Sequence, residues 1–172
     1  MCDLSRLAVI LAFVTIVPVS VSMAAEKKKV SPAASEKVSH VSEKKAEKAV
    51  HRLVIQVDQN DPALMNLALN NATNVLEYYR AKGEDVDLDI VTYGPGLNML
   101  RTDTSPVQDR IKHLKDLAFP SNIQFSACNN TKEGMEKKEG HPVPVMSEAV
   151  LVPSGVVRLM ELQEKGWSYI RP

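Results

Sequence analysis

Cys128 is the residue whose type and setting are best suited to covalent chemistry. It ends an apolar run, and Asn129, Asn130 and Thr131 follow it. Because Asn and Thr favour the N-cap position, a helix is predicted to begin here and to direct its free N–H groups towards the thiol. Such groups, together with a cation from Lys132, lower the pKa of a thiol and favour a reactive thiolate. The alternative interpretation is an inert cysteine in the core, where this residue type is common.

The chain contains two cysteines, and one of them lies in a predicted export signal. Cys2 precedes an almost continuous apolar run over residues 7–21, which ends in small residues. This order is typical of a secretory signal peptide (1–24), with cleavage near Ala24 or Ala25. A retained membrane anchor is the alternative, but the run is short for a span and a proline interrupts it. We therefore predict a periplasmic or secreted protein, with no membrane insertion after the signal is removed.

Removal of the signal leaves Cys128 without a second cysteine in the chain. No internal disulfide and no C-x-x-C dithiol chemistry are then expected. His141 and Met146 would suit a soft metal ion together with this thiol. Their spacing matches no known metal-binding pattern, so no metal and no cofactor are predicted.

Charge and composition argue against a nucleic-acid partner. The chain has 21 basic and 21 acidic residues, and aromatic residues make up only 5% of it. It therefore lacks both the positive field and the aromatic platform that nucleic-acid binding uses. Residues 25–50 are rich in Lys, Glu, Ala and Ser and hold almost no large apolar side chains. This stretch is predicted to be a charged flexible linker, because it cannot bury enough apolar surface to offset its conformational entropy.

From residue 51 to 172 the pattern changes to strands that alternate with helices, as in a single α/β domain. Strands are predicted over 53–57, 86–93, 123–128, 149–152 and 167–170. Helices are predicted to start at Asp61-Pro62, Ser105-Pro106 and Ser154-Gly155. Each of these pairs begins with a residue that favours the N-cap. The order predicts a mostly parallel sheet between layers of helices.

The side-chain alternation along two strands bears on the position of the thiol. Asp alternates with apolar residues over 85–90, which predicts that strand 86–93 lies at an edge of the sheet. The alternation in strand 123–128 places Cys128 on the same face as Gln124 and Ser126. Open α/β sheets bind ligands outside the carboxyl ends of their strands, and Cys128 lies at such an end. A polar face at this position argues against a simple core-filling role.

Five stretches of the domain carry a resemblance to a known family. They are HRLVIQV, ALMNLALNNATNVLEYY, VTYGPGLNML, SACNNT and VLVPSGVVRLMELQEKGWSYIRP, in this order. Together they resemble the DsrE/DsrF-like family of sulfur-relay proteins, and most of all its small exported branch, which has no assigned reaction. The resemblance implies a three-layer α/β/α sandwich with a five-stranded, mostly parallel sheet, and a homo-oligomer.

The same resemblance implies a role for the cysteine loop. In sulfur-relay members a cysteine accepts sulfane sulfur as a persulfide and passes it to the thiol of a partner protein. Cys128 corresponds to the cysteine of the C-x-N-T stretch, and Asn130 and Thr131 match the rest of it. Together with Asn129, these two are expected to shape the loop. We therefore expect a sulfur carrier rather than a turnover enzyme. The alternatives are a small-ligand-binding module with an incidental cysteine and a structural oligomeric module with an inert one.

Overall fold

The domain is built from five strands and four α-helices, and the computed structural model describes residues 50–172. The predicted signal peptide (1–24) and the predicted linker, apart from its last residue, lie outside the described residues. The strands are β1 (Val50–Val57), β2 (Asp85–Thr92), β3 (Asn122–Cys128), β4 (Ala149–Val152) and β5 (Ser168–Ile170). The helices are α1 (Pro62–Ala81), α2 (Gln108–Ala118), α3 (Asn129–Glu139) and α4 (Gly155–Glu164), with a 3₁₀ helix over Gly94–Leu100. Within residues 50–172, no helix is both long enough and apolar enough to cross a membrane.

The five strands form one sheet in the order β4-β3-β2-β1-β5, and every neighbouring pair is parallel. Helices cover both faces, so the predicted three-layer α/β/α sandwich is confirmed. Strands that are covered on both faces need apolar residues at successive positions. The last five residues of β1, Leu53–Val57, are accordingly all buried.

The two faces of the sheet carry layers of different size. The larger core lies between the sheet and α1, α2 and the 3₁₀ helix, and its largest fully buried side chains include Ile55, Met65, Leu76 and Phe125. Met135 of α3 packs against the same core. On the opposite face, α4 packs over a small cluster of four buried residues, Val54, Val91, Leu159 and Leu162. The carboxyl edge of the sheet therefore meets helices from both layers.

Strand β2 lies at the centre of the sheet, so the prediction that it is an edge strand is wrong. Asp85 and Asp87 are half-buried near the amino end of the strand, where polar side chains are tolerated. Asp89 is fully buried and is paired with Arg158 of α4 at 2.8 Å. The alternation of Asp with apolar residues, which suggests a solvated face, thus includes a buried ion pair between Asp89 and the distant Arg158.

Local sequence accounts for where the helices begin. Asp61 is the N-cap of α1, and its Oδ1 accepts a hydrogen bond from the Ala63 N–H at 2.8 Å. Helix α2 begins at Gln108, three residues later than the predicted start at Ser105. The Ser105 hydroxyl donates to the Met99 carbonyl at 2.5 Å, so it ties a turn to the preceding 3₁₀ helix. The predicted starts of α1 and α4 are confirmed, because Ser154 caps α4.

Candidate active site

Cys128 lies at the carboxyl edge of the sheet, where β3 passes directly into α3. It is the last residue of the strand and the N-cap residue of the helix, and its backbone is extended (φ −68°, ψ 114°). Because the thiol occupies the cap position, it lies beside the unpaired N–H groups of the first helical turn. The helix predicted to begin at the cysteine loop is therefore present.

A second helix begins against the same thiol. Strand β4 pairs with β3 so that Val152 lies beside Cys128, and α4 starts three residues later at Gly155. A Cβ atom placed on Gly155 would lie 3.3 Å from the Cys128 Cβ and 2.9 Å from the Tyr93 Cβ. Glycine therefore permits the backbone of α4 to approach the cysteine closely. The amino ends of α3 and α4, each carrying partial positive charge, converge on one sulfur atom.

The Thr131 side chain is held in a position to donate to this sulfur. The Gly94 N–H donates to Thr131 Oγ1 at 2.9 Å, which occupies one lone pair of that oxygen. The hydroxyl hydrogen is then free to point at Cys128, and this contact lowers the pKa of the thiol. Gly94, the first residue of the 3₁₀ helix, thus orients the Thr131 hydroxyl in the first turn of α3.

Burial and these contacts act on the pKa of the Cys128 thiol in opposite directions. The residue is 4% exposed, and burial alone would raise the pKa of its thiol. The Thr131 hydroxyl and the N–H groups of Gly155, Thr131 and Asn130 oppose burial, and together they lower the pKa below the ordinary value. The thiol makes no capping hydrogen bond of ideal geometry. Its stabilisation therefore comes from several weak contacts with a poor acceptor rather than from one strong bond.

The other residues of the predicted cysteine loop have different partners. The Asn129 side chain donates to Glu133 Oε1 at 2.7 Å, within α3. The Asn130 N–H also donates to the Pro153 carbonyl at 3.3 Å, so it links the starts of α3 and α4. Lys132 forms an ion pair with Glu136 at 2.5 Å. The expected cation beside the thiolate is therefore engaged along the helix, and the partial charges of backbone N–H groups take its place.

Cys128, His141 and Met146, which would suit a soft metal ion, do not form a cluster in the structure. Met146 is buried in the larger core, whereas the thiol of Cys128 shares the opposite face of the sheet with Ser126. His141 is exposed, and its Nε2 lies 3.7 Å from Glu139 Oε2. Within the part of the chain that the structure describes, no group of three or more His, Cys, Asp or Glu side chains could hold a metal ion.

A buried polar cluster that the sequence does not predict lies beneath α4. Asp89 Oδ1 accepts a hydrogen bond from the Ser126 hydroxyl at 2.7 Å, and Asp89 Oδ2 accepts one from Arg158 Nε at 2.9 Å. Gln124 Nε2 also approaches Oδ2, at 3.3 Å. Burial raises the pKa of Asp89 even though Ser126 and Arg158 favour its charged form. The signal available in the sequence was the polar face shared by Gln124 and Ser126, which indicated polar contacts but not their partner.

Gly155 is a further residue of the candidate site, and its sequence context predicted only a helix start. A usable signal existed, because the carboxyl ends of parallel neighbouring strands meet at one edge. Helices that follow β3 and β4 without a long loop must begin side by side.

Comparison with solved structures finds similarity to the protein of unknown function MTH1491 from Methanobacterium thermoautotrophicum. The sequence identity is 29%, the TM-score is 0.58, and the match covers 71% of this chain and 99% of that chain. No model of a known protein family and no curated protein matches the chain. The similarity therefore bears on the fold of the domain and assigns no reaction to the site.

Proposed function

We propose that Cys128 is a sulfane-sulfur acceptor and carrier of the DsrE/DsrF-like type. The observation that supports this most strongly is the position of the Cys128 thiol at the amino ends of both α3 and α4, whose N–H groups lower its pKa. An inert core cysteine has apolar neighbours, which raise its pKa. Here a hydroxyl and three backbone N–H groups oppose burial, which favours the anion needed for sulfur chemistry.

The proposed loading step is a thiol–disulfide type exchange. The Cys128 thiolate attacks the outer sulfur of a donor persulfide or polysulfide, and a new S–S bond forms at Sγ. The S–S bond of the donor breaks, and its electron pair leaves as the thiolate of the persulfide donor or as a polysulfide shortened by one sulfur atom. No external oxidant is consumed, because the sulfane sulfur passes from one thiolate to another.

Unloading reverses these roles, and the same contacts assist it. The thiolate of a partner protein attacks the outer sulfur of the Cys128 persulfide, and Cys128 leaves as a thiolate. A thiol of low pKa is a good leaving group in such exchanges. Since the N–H groups of two helices stabilise the departing anion, the site suits a carrier that is loaded and emptied rather than an enzyme that turns over a small substrate.

The proposal includes the setting of the carrier. We place it in the periplasm or outside the cell, on the basis of the predicted signal peptide, where it acts as a homo-oligomer. Several apolar side chains of α4 and β4 are about half exposed and supply surface that self-association would bury: Val150, Leu151, Val156, Val157 and Met160. Light scattering coupled to gel filtration tests this part, and a monomeric mass at micromolar concentration would contradict it.

The test of the carrier function is direct loading. Reduced protein is treated with inorganic polysulfide, desalted and measured by intact-mass spectrometry, with Cys128→Ser as the matched control. We expect the wild-type chain to gain sulfur that a small thiol then removes with release of hydrosulfide, and the variant to gain none. Absence of an adduct on folded wild-type protein, or an equal adduct on the variant, would refute the proposal.

A groove between the 3₁₀ helix and α3 favours the second candidate, a small-ligand-binding module. It is lined by residues that include Asn60, Asn98, Met135 and Lys138, and it reaches Thr131. Its volume of about 530 Å³ lies in the range of small-molecule sites. A ligand screen by thermal shift separates the two candidates. Ligand stabilisation that persists in Cys128→Ser, without sulfur loading of the wild-type chain, would favour the binding module.

A further inference from the structure

Helix α4 is held on the sheet by an ion pair in addition to a small apolar contact. Its buried apolar side chains are Leu159 and Leu162, which belong to a cluster of only four buried residues. Arg158 Nε donates to Asp89 Oδ2 at 2.9 Å, and Nη2 lies 2.8 Å from the same oxygen as an ion pair. Asp89 is fully buried, whereas the Arg158 side chain is 24% exposed. The Arg158 side chain therefore reaches from the protein surface to Asp89 on the central strand of the sheet.

The position of Arg158 on α4 connects this pair to the thiol. Gly155 and Arg158 are three residues apart, so they lie on the same face of the helix, one turn from each other. Gly155 is buried against Cys128 and Tyr93, and the Arg158 N–H donates to the Ser154 carbonyl at 3.0 Å in the first turn. A shift of Arg158 would therefore carry the first turn of α4 with it.

The sheet fixes the other end of the connection. Asp89 of β2 lies beside Gln124 of β3 in the sheet register, and Gln124 is four positions before Cys128 on the same strand. At about 3.3 Å per residue this is roughly 13 Å along the strand. Both oxygens of the carboxylate are engaged, because the Ser126 hydroxyl donates to Oδ1 at 2.7 Å while Arg158 Nε and Nη2 converge on Oδ2. An apolar contact between Leu159, Leu162 and the sheet would permit sliding, whereas this pair sets one position of the helix along the strands.

We propose that Asp89 and Arg158 are positioning residues for the thiolate: their ion pair sets α4 on the sheet so that the Gly155 N–H faces Cys128 Sγ. The inference rests on the proposed function, because it assigns both residues to the same thiolate. Neither residue contacts the sulfur. Their contribution passes through the backbone of the first turn of α4.

The experiment measures the pKa of the Cys128 thiol from the pH dependence of its alkylation by iodoacetamide. The main variant is Asp89→Asn/Arg158→Gln, which removes both charges and leaves no unpaired buried charge. Arg158→Lys keeps a positive charge but not the planar guanidinium that brings two nitrogens to Oδ2. The matched control is Asp87→Asn/Arg52→Gln, which makes the same changes on the 3.7 Å pair two residues earlier on β2. Circular dichroism and thermal unfolding verify that each protein is folded.

We expect the main variant to alkylate several-fold more slowly than wild type below neutral pH, with its thiol pKa raised. Arg158→Lys is expected to lie between the two, and the control pair to match wild type. A purely structural role would lower the melting temperature and leave the thiol pKa unchanged in folded protein, and that result would overturn the proposal. If the double variant does not fold, an unchanged thiol pKa in Arg158→Lys overturns it equally.

Failure of the proposed function gives a different pattern. A wild-type thiol pKa at the value of a free cysteine would refute both the carrier function and the positioning role. Wild-type sulfur loading combined with an unchanged thiol pKa in the variants would refute the positioning role alone.

Discussion

Thr131 is the side chain whose removal perturbs the candidate site with the least change of shape. Thr131→Val replaces a hydroxyl by a methyl group of similar size, so the packing of α3 is retained. The change deletes the O–H donor to Cys128 and also the acceptor of the Gly94 N–H bond (2.9 Å). We therefore expect the thiolate to be less stable in the variant and the pKa of the thiol to rise.

The expected size of the effect follows from the strength of the lost contact. A hydrogen bond to a charged group contributes about 1.5–3 kcal/mol, and a bond to the weaker sulfur acceptor is expected just below that range. A loss of about 1.4 kcal/mol lowers the thiolate fraction about tenfold at a pH below both midpoints. A more basic thiolate is also about threefold more nucleophilic, since the Brønsted coefficient is about 0.4–0.5. The net result is a reaction about three- to fourfold slower at low pH and about threefold faster at high pH.

The assay is the second-order rate of iodoacetamide alkylation of Cys128 across pH, in wild type and in Thr131→Val. The two profiles should cross, and general loosening of the structure would not produce such a crossing, because it speeds the reaction at every pH. Thr73→Val is the matched control, since Thr73 donates to the Leu69 carbonyl within α1, at 2.9 Å. Superimposable profiles for wild type and Thr131→Val would refute the assigned role of the hydroxyl.

The remaining predictions concern the packing of α4 and an ion-pair network on α3. Gly155→Ala should lower the free energy of unfolding by about 1–3 kcal/mol, since its Cβ would lie 2.9 Å from the Tyr93 Cβ. Gly134→Ala, whose Cβ meets nothing within 4 Å, should be neutral or stabilising in the same urea titration. Arg101, which is 5% exposed and bonds Glu139 at 2.7 Å, lowers the pKa of that carboxyl. The ion pair stabilises the fold at pH values above the ordinary Glu pKa, and this stabilisation is lost as the pH falls through the lowered pKa of Glu139. The loss in free energy of unfolding that Arg101→Met causes should therefore be largest near neutral pH and shrink below about pH 4. A stability loss in Arg101→Met that does not change with pH would contradict a stabilising Arg101–Glu139 ion pair.

Much of the fold follows from local patterns that the sequence displays. The continuous apolar run of β1 predicts a strand covered on both faces, and Asp61-Pro62 predicts the start of α1; both are present. Cys128 followed by Asn and Thr predicts a helix start, and α3 begins there. Each of these signals depends on residues that are neighbours in the chain. Such signals are readable because hydrogen bonds at helix ends and side-chain alternation are local properties.

The errors arise where a distant partner decides the outcome. The position of Asp89 suggests a solvated edge, yet its partner Arg158 lies 69 residues later in the chain. Local patterns also do not indicate the 3₁₀ helix over Gly94–Leu100, whose Gly96 packs against the end of β1. A Cβ there would lie 2.2 Å from the Val57 carbonyl oxygen. Long-range packing of this kind leaves no periodic signal in one sequence.

The central claim is that the folded protein stabilises the Cys128 thiolate through the amino ends of α3 and α4. The most direct measurement is the pH midpoint of the thiol in native wild-type protein, from thiolate absorbance checked by alkylation rate. We expect a midpoint below that of a free cysteine and reaction with small reagents without denaturant. A midpoint at or above the free value, or a thiol that reacts only after unfolding, would contradict it.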